Sequence, residues 1–297
     1  MKKIFIAIFW PISILIAIVF TYENPDKIES LKDNFKKNEI PKITSVESND
    51  IFYTANSFGL YSKKIIELKE KVAFISYPTE KKIFDKNKLK IYTQNGFIIE
   101  NFEQKKLNLP KFFTLQRNGG IKTVITVNEH NIALISGKEK NCFFASLILL
   151  KNGKELLRTK CLPEKPKNND FNGLGSNNIH LNNYIYFTLG TPEKHISKNG
   201  QLAQNDDYLF GKILRIKKED VLKKINNEIE ILDVEIYSKG HRAPQGLTRI
   251  NKLIFNVEHG PKGGDELNLV IENSNYGWPI VSYGTNYLKE NGGDGKS

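Results

Sequence analysis

Between Ile51 and Ile271 the chain breaks into short runs of β-branched and aromatic residues, each bounded by turn-forming Gly, Asn, Asp, Lys or Pro. The runs are Ile51–Thr54, Val72–Tyr77, Leu89–Tyr92, Phe97–Phe102, Lys122–Val127, Ile132–Ser136, Phe143–Leu150, Tyr184–Leu189, Lys212–Ile216, Ile229–Tyr237, Leu253–Val257 and Leu267–Ile271. Each has the length and composition of a strand. Helical signals are few, and Lys218–Asn227 is the best of them. A parallel sheet needs a crossover helix between strands, so a chain without such helices is all-β: a sandwich, a barrel or a propeller. An Asn turn followed by a β-rich run recurs at Asn128–Ile135, Asn182–Leu189 and Asn251–Val257. Propeller blades repeat every 40–50 residues or so, and the last two cues lie more than one such unit apart.

At 297 residues, with 39% hydrophobic and 26% charged residues, the chain can bury a full core and is neither disordered nor fibrous. Its net charge of +11 raises the question of a nucleic-acid partner. The lysines, however, are scattered singly and in pairs (Lys63-Lys64, Lys81-Lys82, Lys217-Lys218) with no arginine stripe interleaved with stacking aromatics. That pattern excludes a nucleic-acid face and reads as a compositional bias.

Lys2-Lys3 followed by the apolar run Ile4–Phe20 has the order of a secretory signal, so residues 1–22 read as a signal peptide or an N-terminal membrane anchor. Small residues are absent near Val19-Phe20-Thr21-Tyr22, which favours the uncleaved anchor. Residues 23–48 read as a polar linker and residues 49–297 as the folded body, which places that body outside the cytoplasm, in the periplasm or beyond. Cys142 and Cys161 flank a hairpin made of strand Cys142–Leu150, turn Lys151–Lys154 and strand Glu155–Leu162. Asn152-Gly153 suits a type I′ turn, which sets the two cysteines on one face as a diagonal pair about 7–8 Å apart. That is slightly too far for a disulfide. A bulge in an oxidising compartment closes the gap; without one they are two buried thiols.

Four strings then stand in order: Gly211-Lys212-Ile213-Leu214-Arg215-Ile216, Gly240-His241-Arg242-Ala243-Pro244-Gln245-Gly246-Leu247, Glu258-His259-Gly260-Pro261-Lys262-Gly263-Gly264-Asp265-Glu266-Leu267-Asn268, and Asn275-Tyr276-Gly277-Trp278-Pro279. Together they resemble the PQQ-dependent soluble aldose and glucose dehydrogenases, the glucose/sorbosone dehydrogenase family, from about Phe143 to Tyr287. The resemblance implies a six-bladed β-propeller, either incomplete or with divergent N-terminal blades; a fragment, closure by a partner and substitute blades from Ile51–Phe113 are the alternatives, and the number of strands in that segment favours the last. It also implies pyrroloquinoline quinone (PQQ) and calcium as cofactors and a small sugar as substrate. Arg242, His259 and Asp265 correspond to cofactor contacts, Gly260 and Pro261 to the carbonyls that hold the catalytic calcium, and Glu266 and Tyr276 to a structural calcium site. Independently of the resemblance, backbone carbonyls beside Asp265-Glu266 are the hard oxygen donors calcium takes.

The chain departs from the pattern at three places. The family's general base is a histidine, and the matching stretch here is Phe171-Asn172-Gly173-Leu174-Gly175-Ser176, with Phe171 or Asn172 at the base position. Neither accepts a proton near neutral pH; His180 is the nearby imidazole left as a catalytic candidate. Ala243 stands where the family has asparagine, and the chain stops at Ser297, short of the family's last blades. Two functions follow: an exported PQQ- and calcium-dependent aldose dehydrogenase, or a catalytically silent propeller that binds a glycan or a protein. A hydrolase is disfavoured because no nucleophile–base pairing is visible.

Overall fold

The computed structural model describes residues 44–45, 50–55, 58–63, 68, 70–77, 88–166, 170–175, 177–192 and 198–285. The apolar run Ile4–Phe20 and nearly all of the 23–48 linker lie outside them. Among the described residues no helix is long and apolar enough to cross a membrane. The chain divides into two units, residues 1–67 and 68–297. The first carries a three-stranded antiparallel sheet of β1 (Thr44–Ser45), β2 (Asp50–Ala55) and β3 (Phe58–Lys63) in that order.

The second unit is a series of four antiparallel meanders. The first blade holds β4 (Val72–Ser76), β5 (Lys90–Thr93), β6 (Phe97–Glu100) and β7 (Glu103–Lys106); the second holds β8 (Ile121–Val127), β9 (His130–Glu139), β10 (Cys142–Leu149) and β11 (Lys154–Arg158). The third holds β12 (Asn178–Leu181), β13 (Tyr184–Leu189), β14 (Lys212–Lys217) and β15 (Glu235–Lys239), and the fourth β16 (Pro244–Ile250), β17 (Leu253–Glu258) and β18 (Glu266–Val270). The opening strands are neighbours: β4 lies against β8, β8 against β12, and β12 against β16. That is a propeller-like array of four blades with the first strand of each innermost.

The middle blades are buried on both faces, which explains their nearly unbroken apolar strands. In the second blade Leu134 and Leu147 pack with Ile185, Phe187 and Leu214 of the third, whereas Ile135 and Ile148, one position on, pack with Tyr92 of the first. The third blade alternates in the same way: Leu214 faces the second blade and Ile213 joins Leu247, Ile254 and Val270 of the fourth. In the fourth blade the alternation reverts to one-sided burial, and Leu253, Val257, Leu267 and Leu269 are exposed.

Most expected strands are present within a residue or two. The run Ile229–Tyr237 is corrected to Glu235–Lys239, because Arg215 pairs with Glu235 and the partner strand ends at Lys217, the N-cap of a helix. α1 is the single turn Lys198–Gln201, and α2 spans Lys218–Ile225, with Glu219 and Asp220 in its first turn and Lys223 and Lys224 in its last, the distribution its dipole favours. Strand β7, Glu-Gln-Lys-Lys and fully exposed, carries no apolar signal and was not legible.

The hairpin register is also corrected. The Lys151–Lys154 turn is not type I′: Gly153 has φ +73°, but Asn152 is not among the positive-φ residues. Leu149 pairs with Lys154, and a bulge between Leu147 and Ile148 shifts the rest of the ladder. The longer loop, which pairs Leu149 rather than Lys151 with Lys154, carries most of the change in register, and Cys142 and Cys161 stand at a Cα separation of 5.2 Å and form a disulfide. Closing a loop with a sequence separation of 19 stabilises by about 3 kcal/mol through the unfolded chain. Replacing both cysteines with serine is expected to lower the urea-unfolding free energy by roughly that amount, with the fold unchanged by circular dichroism.

Candidate functional site

The site is assembled where the fourth blade begins. Gly240 turns the chain at φ +78°, and a Cβ there would fall 2.2 Å from Asn275 Oδ1, so only glycine fits. Its N–H donates to Ala203 O (3.1 Å), its carbonyl accepts from Trp278 N–H (2.9 Å), and His241 N–H donates to Gly211 O (3.1 Å). The residues that follow, His241, Arg242 and Ala243, are thereby held between the β13–β14 connection and the chain after β18.

Glu258 is the centre of this arrangement. It ends β17 buried, and its carboxylate accepts from His241 Nδ1 (2.8 Å), from the Arg242 backbone N–H (3.0 Å) and from Asn256 Nδ2 (2.8 Å). His241 Nε2 lies 2.9 Å from Ser238 Oγ, and the imidazole stacks on Tyr276 at 4.6 Å. Ser238, His241 and Glu258 therefore have the bonding order of a nucleophile, base and acid, a pairing that sequence reasoning did not find. Ser238 is 1% exposed and His241 fully buried, so no substrate carbonyl reaches the hydroxyl. The chain of bonds orients Arg242 and performs no acyl chemistry.

The Arg242 guanidinium reaches across to the turn after β17. Nη1 donates to both His259 O and Gly260 O at 2.7 Å, and the guanidinium lies 5.2 Å above the Trp278 ring. Pro261 O accepts from Gly264 N–H (2.8 Å), and Asp265 Oδ1 accepts from Gly260 N–H (3.1 Å). Asp265 Oδ2 is 3.5 Å from His259 Nδ1, and both side chains are 69% exposed. A Cβ on Gly260 would sit 1.6 Å from Gly264 O, so backbone packing within the turn accounts for the glycine. Arg242, His259, Gly260, Pro261 and Asp265 are thus brought together.

Glu266 and Tyr276 lie one layer away. Glu266 is directly opposite Glu258 in the β17–β18 ladder, and burial, with the Glu258 charge adding to it, raises its pKa. Asn268 Nδ2 donates to it at 3.0 Å. The Tyr276 hydroxyl donates to Leu269 O at 2.5 Å and accepts from Ile271 N–H at 3.0 Å, and burial raises its pKa as well.

The two alternatives for the base position separate clearly. Phe171 is fully buried and packs against Phe143 (6.1 Å), so it belongs to the core. Asn172 is exposed, and its carbonyl accepts from Gln245 Nε2 (3.1 Å) beside Ala243. A Cβ on Gly173 would stand 3.1 Å from the Ala243 methyl, so the small residue at 243 leaves room for this loop. His180 pairs with Ile185 next to the β12–β13 turn, near Lys218, which donates to Asn182 O; burial, then Lys218, lowers its pKa. The Asn172 loop meets the opposite end of β13, near Thr191, so the structure does not bring His180 to this site.

Calcium and a quinone are tested by the donor set. Among the described residues no three of His, Cys, Asp and Glu converge on a metal position, so a cation here would depend on carbonyls. Gly260 O and Pro261 O each carry a second lone pair beyond the bonds given above, and with the Asp265 carboxylate the donors are all hard oxygen. Arg242 supplies the fixed positive charge an anionic cofactor needs. The residues fit both groups.

Fold and site together define a propeller-like protein with an arginine and an oxygen-rich turn at the head of its fourth blade. The chain belongs to the Glucose / Sorbosone dehydrogenase family, whose model matches residues 138–297, more than half of its length. Over 109 residues it is 37% identical to the aldose sugar dehydrogenase YliI of Escherichia coli K12, covering 35% of this chain and 28% of that protein. Over 103 residues it is 34% identical to quinoprotein glucose dehydrogenase B of Acinetobacter calcoaceticus, covering 34% and 22%. The matched segment therefore spans about a quarter of the length of these relatives. The solved soluble aldose sugar dehydrogenase of Escherichia coli, in its apo form, shares the fold, with a TM-score of 0.56 at 21% identity over 73% of this chain and 65% of that one.

Removing the Glu258 carboxylate strands three donors in a buried position. Glu258→Ala is expected to cost about 3 kcal/mol in urea unfolding, and Glu258→Gln, which keeps one acceptor oxygen, about half as much.

Proposed function

We propose that the chain is an exported, PQQ- and calcium-dependent dehydrogenase that oxidises a CH–OH group of an aldose sugar. The observation that carries the reading is the Arg242 guanidinium held 2.7 Å from the Gly260 carbonyl, beside Pro261 and Asp265, within the family-matched segment. Relatives described as a quinoprotein and as an aldose sugar dehydrogenase support the cofactor and the substrate class. The Lys2-Lys3 apolar leader and the Cys142–Cys161 disulfide support export, because disulfides persist in oxidising compartments.

When bound, the quinone supplies a two-electron hydride acceptor, and calcium polarises it. The chain's own residues have the remaining work. Arg242 would fix the anionic cofactor, and the Gly260 and Pro261 carbonyls with Asp265 would hold the cation. Of the two residues that match the family's base position, Phe171 and Asn172, only Asn172 is exposed, and neither accepts a proton, so the proton of the sugar hydroxyl must go elsewhere. His259, 69% exposed with Nδ1 3.5 Å from Asp265 Oδ2, is the imidazole exposed on this face among the described residues, and it is the group assigned to take the proton.

The second reading, a silent propeller that binds a glycan or protein, is favoured by one observation: the exposed side chain at the base position is an amide. Reconstitution with PQQ and calcium, followed by dye-linked oxidation of a panel of aldoses, separates the two. The dehydrogenase reading expects the quinone absorbance to shift, turnover to appear, Asn172→His to raise kcat at least tenfold, and His259→Gln to abolish the parent's turnover. A quinone that binds without turnover, even with histidine at 172, supports the silent propeller.

Glu266 stands directly opposite Glu258, whose charge acts on both Glu266 and Tyr276, and this supports a structural calcium held by Glu266. Calcium is expected to raise the melting temperature of the parent by several degrees and that of Glu266→Gln by much less, as read by differential scanning calorimetry. Equal shifts would remove the site.

A further inference from the structure

Lys212, the first residue of β14, is fully buried, and among the described residues its ammonium makes no ion pair at contact distance, with Asp206 and Lys239 the charges that act on it. Its Nζ instead donates to four backbone carbonyls: Leu202 O (2.7 Å), Ala203 O (3.0 Å), Phe210 O (3.0 Å) and Asn205 O (3.1 Å). Four carbonyls converging on one point form a cation site, and a lysine reaching in from the adjacent strand supplies the cation. An ammonium has three N–H groups, which four oxygens share; a neutral amine has two and would turn a lone pair on the cage. Burial pulls the Lys212 pKa down to about 8, so at neutral pH the proton remains and the occupant is charged.

The cage is coupled to the site through one atom. Ala203 O accepts from Lys212 Nζ and also from the Gly240 N–H, two residues before Arg242. The next residue, Gln204, donates from Nε2 to Trp278 O (2.6 Å) and exchanges amide hydrogen bonds with Asn275, which places the indole under the Arg242 guanidinium. His241 N–H is held by Gly211, the neighbour of Lys212. The loop from Leu202 to Gly211 therefore underlies both Arg242 and Trp278, and its carbonyls can converge only around a positive charge.

We propose that Lys212 is a positioning residue whose ammonium serves as a built-in cation, ordering the Leu202–Gly211 loop and through it the Gly240–Arg242 turn and Trp278. The significance given to that turn rests on reading it as the cofactor face; the cage itself does not. The cage is specific for small monovalent cations that donate hydrogen bonds, so emptying it creates a site for ammonium or methylammonium.

The test uses Lys212→Met, which keeps bulk without charge, and Lys212→Ala, which opens the cage, with amide hydrogen exchange followed at Gly240, His241 and Trp278. Both variants are expected to exchange at least tenfold faster than the parent at these amides, while β9 and β10 stay protected. In Lys212→Ala, ammonium or methylammonium chloride is expected to restore protection, and tetramethylammonium chloride at the same ionic strength is not. Parent-like exchange in Lys212→Met overturns the proposal. So does a Lys212→Ala chain that stays unfolded or unprotected in every salt, or one that tetramethylammonium rescues equally. Spectroscopic titration with PQQ, run separately, addresses the cofactor reading: a parent chain that binds no quinone defeats that reading and leaves the exchange result standing.

Discussion

Burial on both faces of the middle blades is the constraint from which the rest of the second unit follows. A strand exposed on one face can alternate apolar and polar residues, but β8, β9, β10, β13 and β14 have sheets on either side and cannot. Adjacent residues such as Leu134 and Ile135 then belong to different cores, so each blade is fixed against two neighbours at once. Rigid stacking of this sort lets the connections between strands be long and irregular without losing their place. The site is made from such connections.

At the head of the fourth blade, charge is organised in a hierarchy set by burial. Glu258 and His241 are sealed and neutralise one another's hydrogen-bonding capacity, with Asn256 and the Arg242 backbone completing the set. Arg242 is one step further out, its guanidinium against two carbonyls. His259 and Asp265 stand in solvent beside it. Fixed groups at the back, poised charge in the middle and titratable groups at the front make an arrangement able to hold an anionic ligand without reorganising around it. Lys212 fits the same scheme from below, as positive charge spent on backbone carbonyls instead of on a carboxylate.

Much of this was legible in the residues themselves. The turn-and-strand rhythm identified an all-β chain, and the Gly240–Leu247 and Glu258–Asn268 strings marked the site before any geometry was known. Other features were not legible, for identifiable reasons. The four polar residues of β7 form an edge strand because β6 offers free backbone groups, which no side-chain pattern announces. Whether Cys142 and Cys161 meet depends on how many residues the turn before Lys154 consumes, and Asn-Gly suggested fewer than it does. Phe171 and Asn172 could not be ranked from sequence, since either placement preserved the spacing; packing against Phe143 ranks them.

The amino-acid sequence by itself determined the class of fold, the family and the composition of the oxygen-rich turn, because strand length, turn chemistry and motif order are local properties. Tertiary structure alone decided that His180 lies at the wrong end of its blade, that Ser238, His241 and Glu258 form a sealed chain of bonds, and that Lys212 is a cation in a carbonyl cage. Each of those facts depends on backbone groups and on residues distant in the chain converging in space. A one-dimensional pattern records side chains and their spacing, and it carries no information about which carbonyl oxygens will face one another after the sheets have stacked.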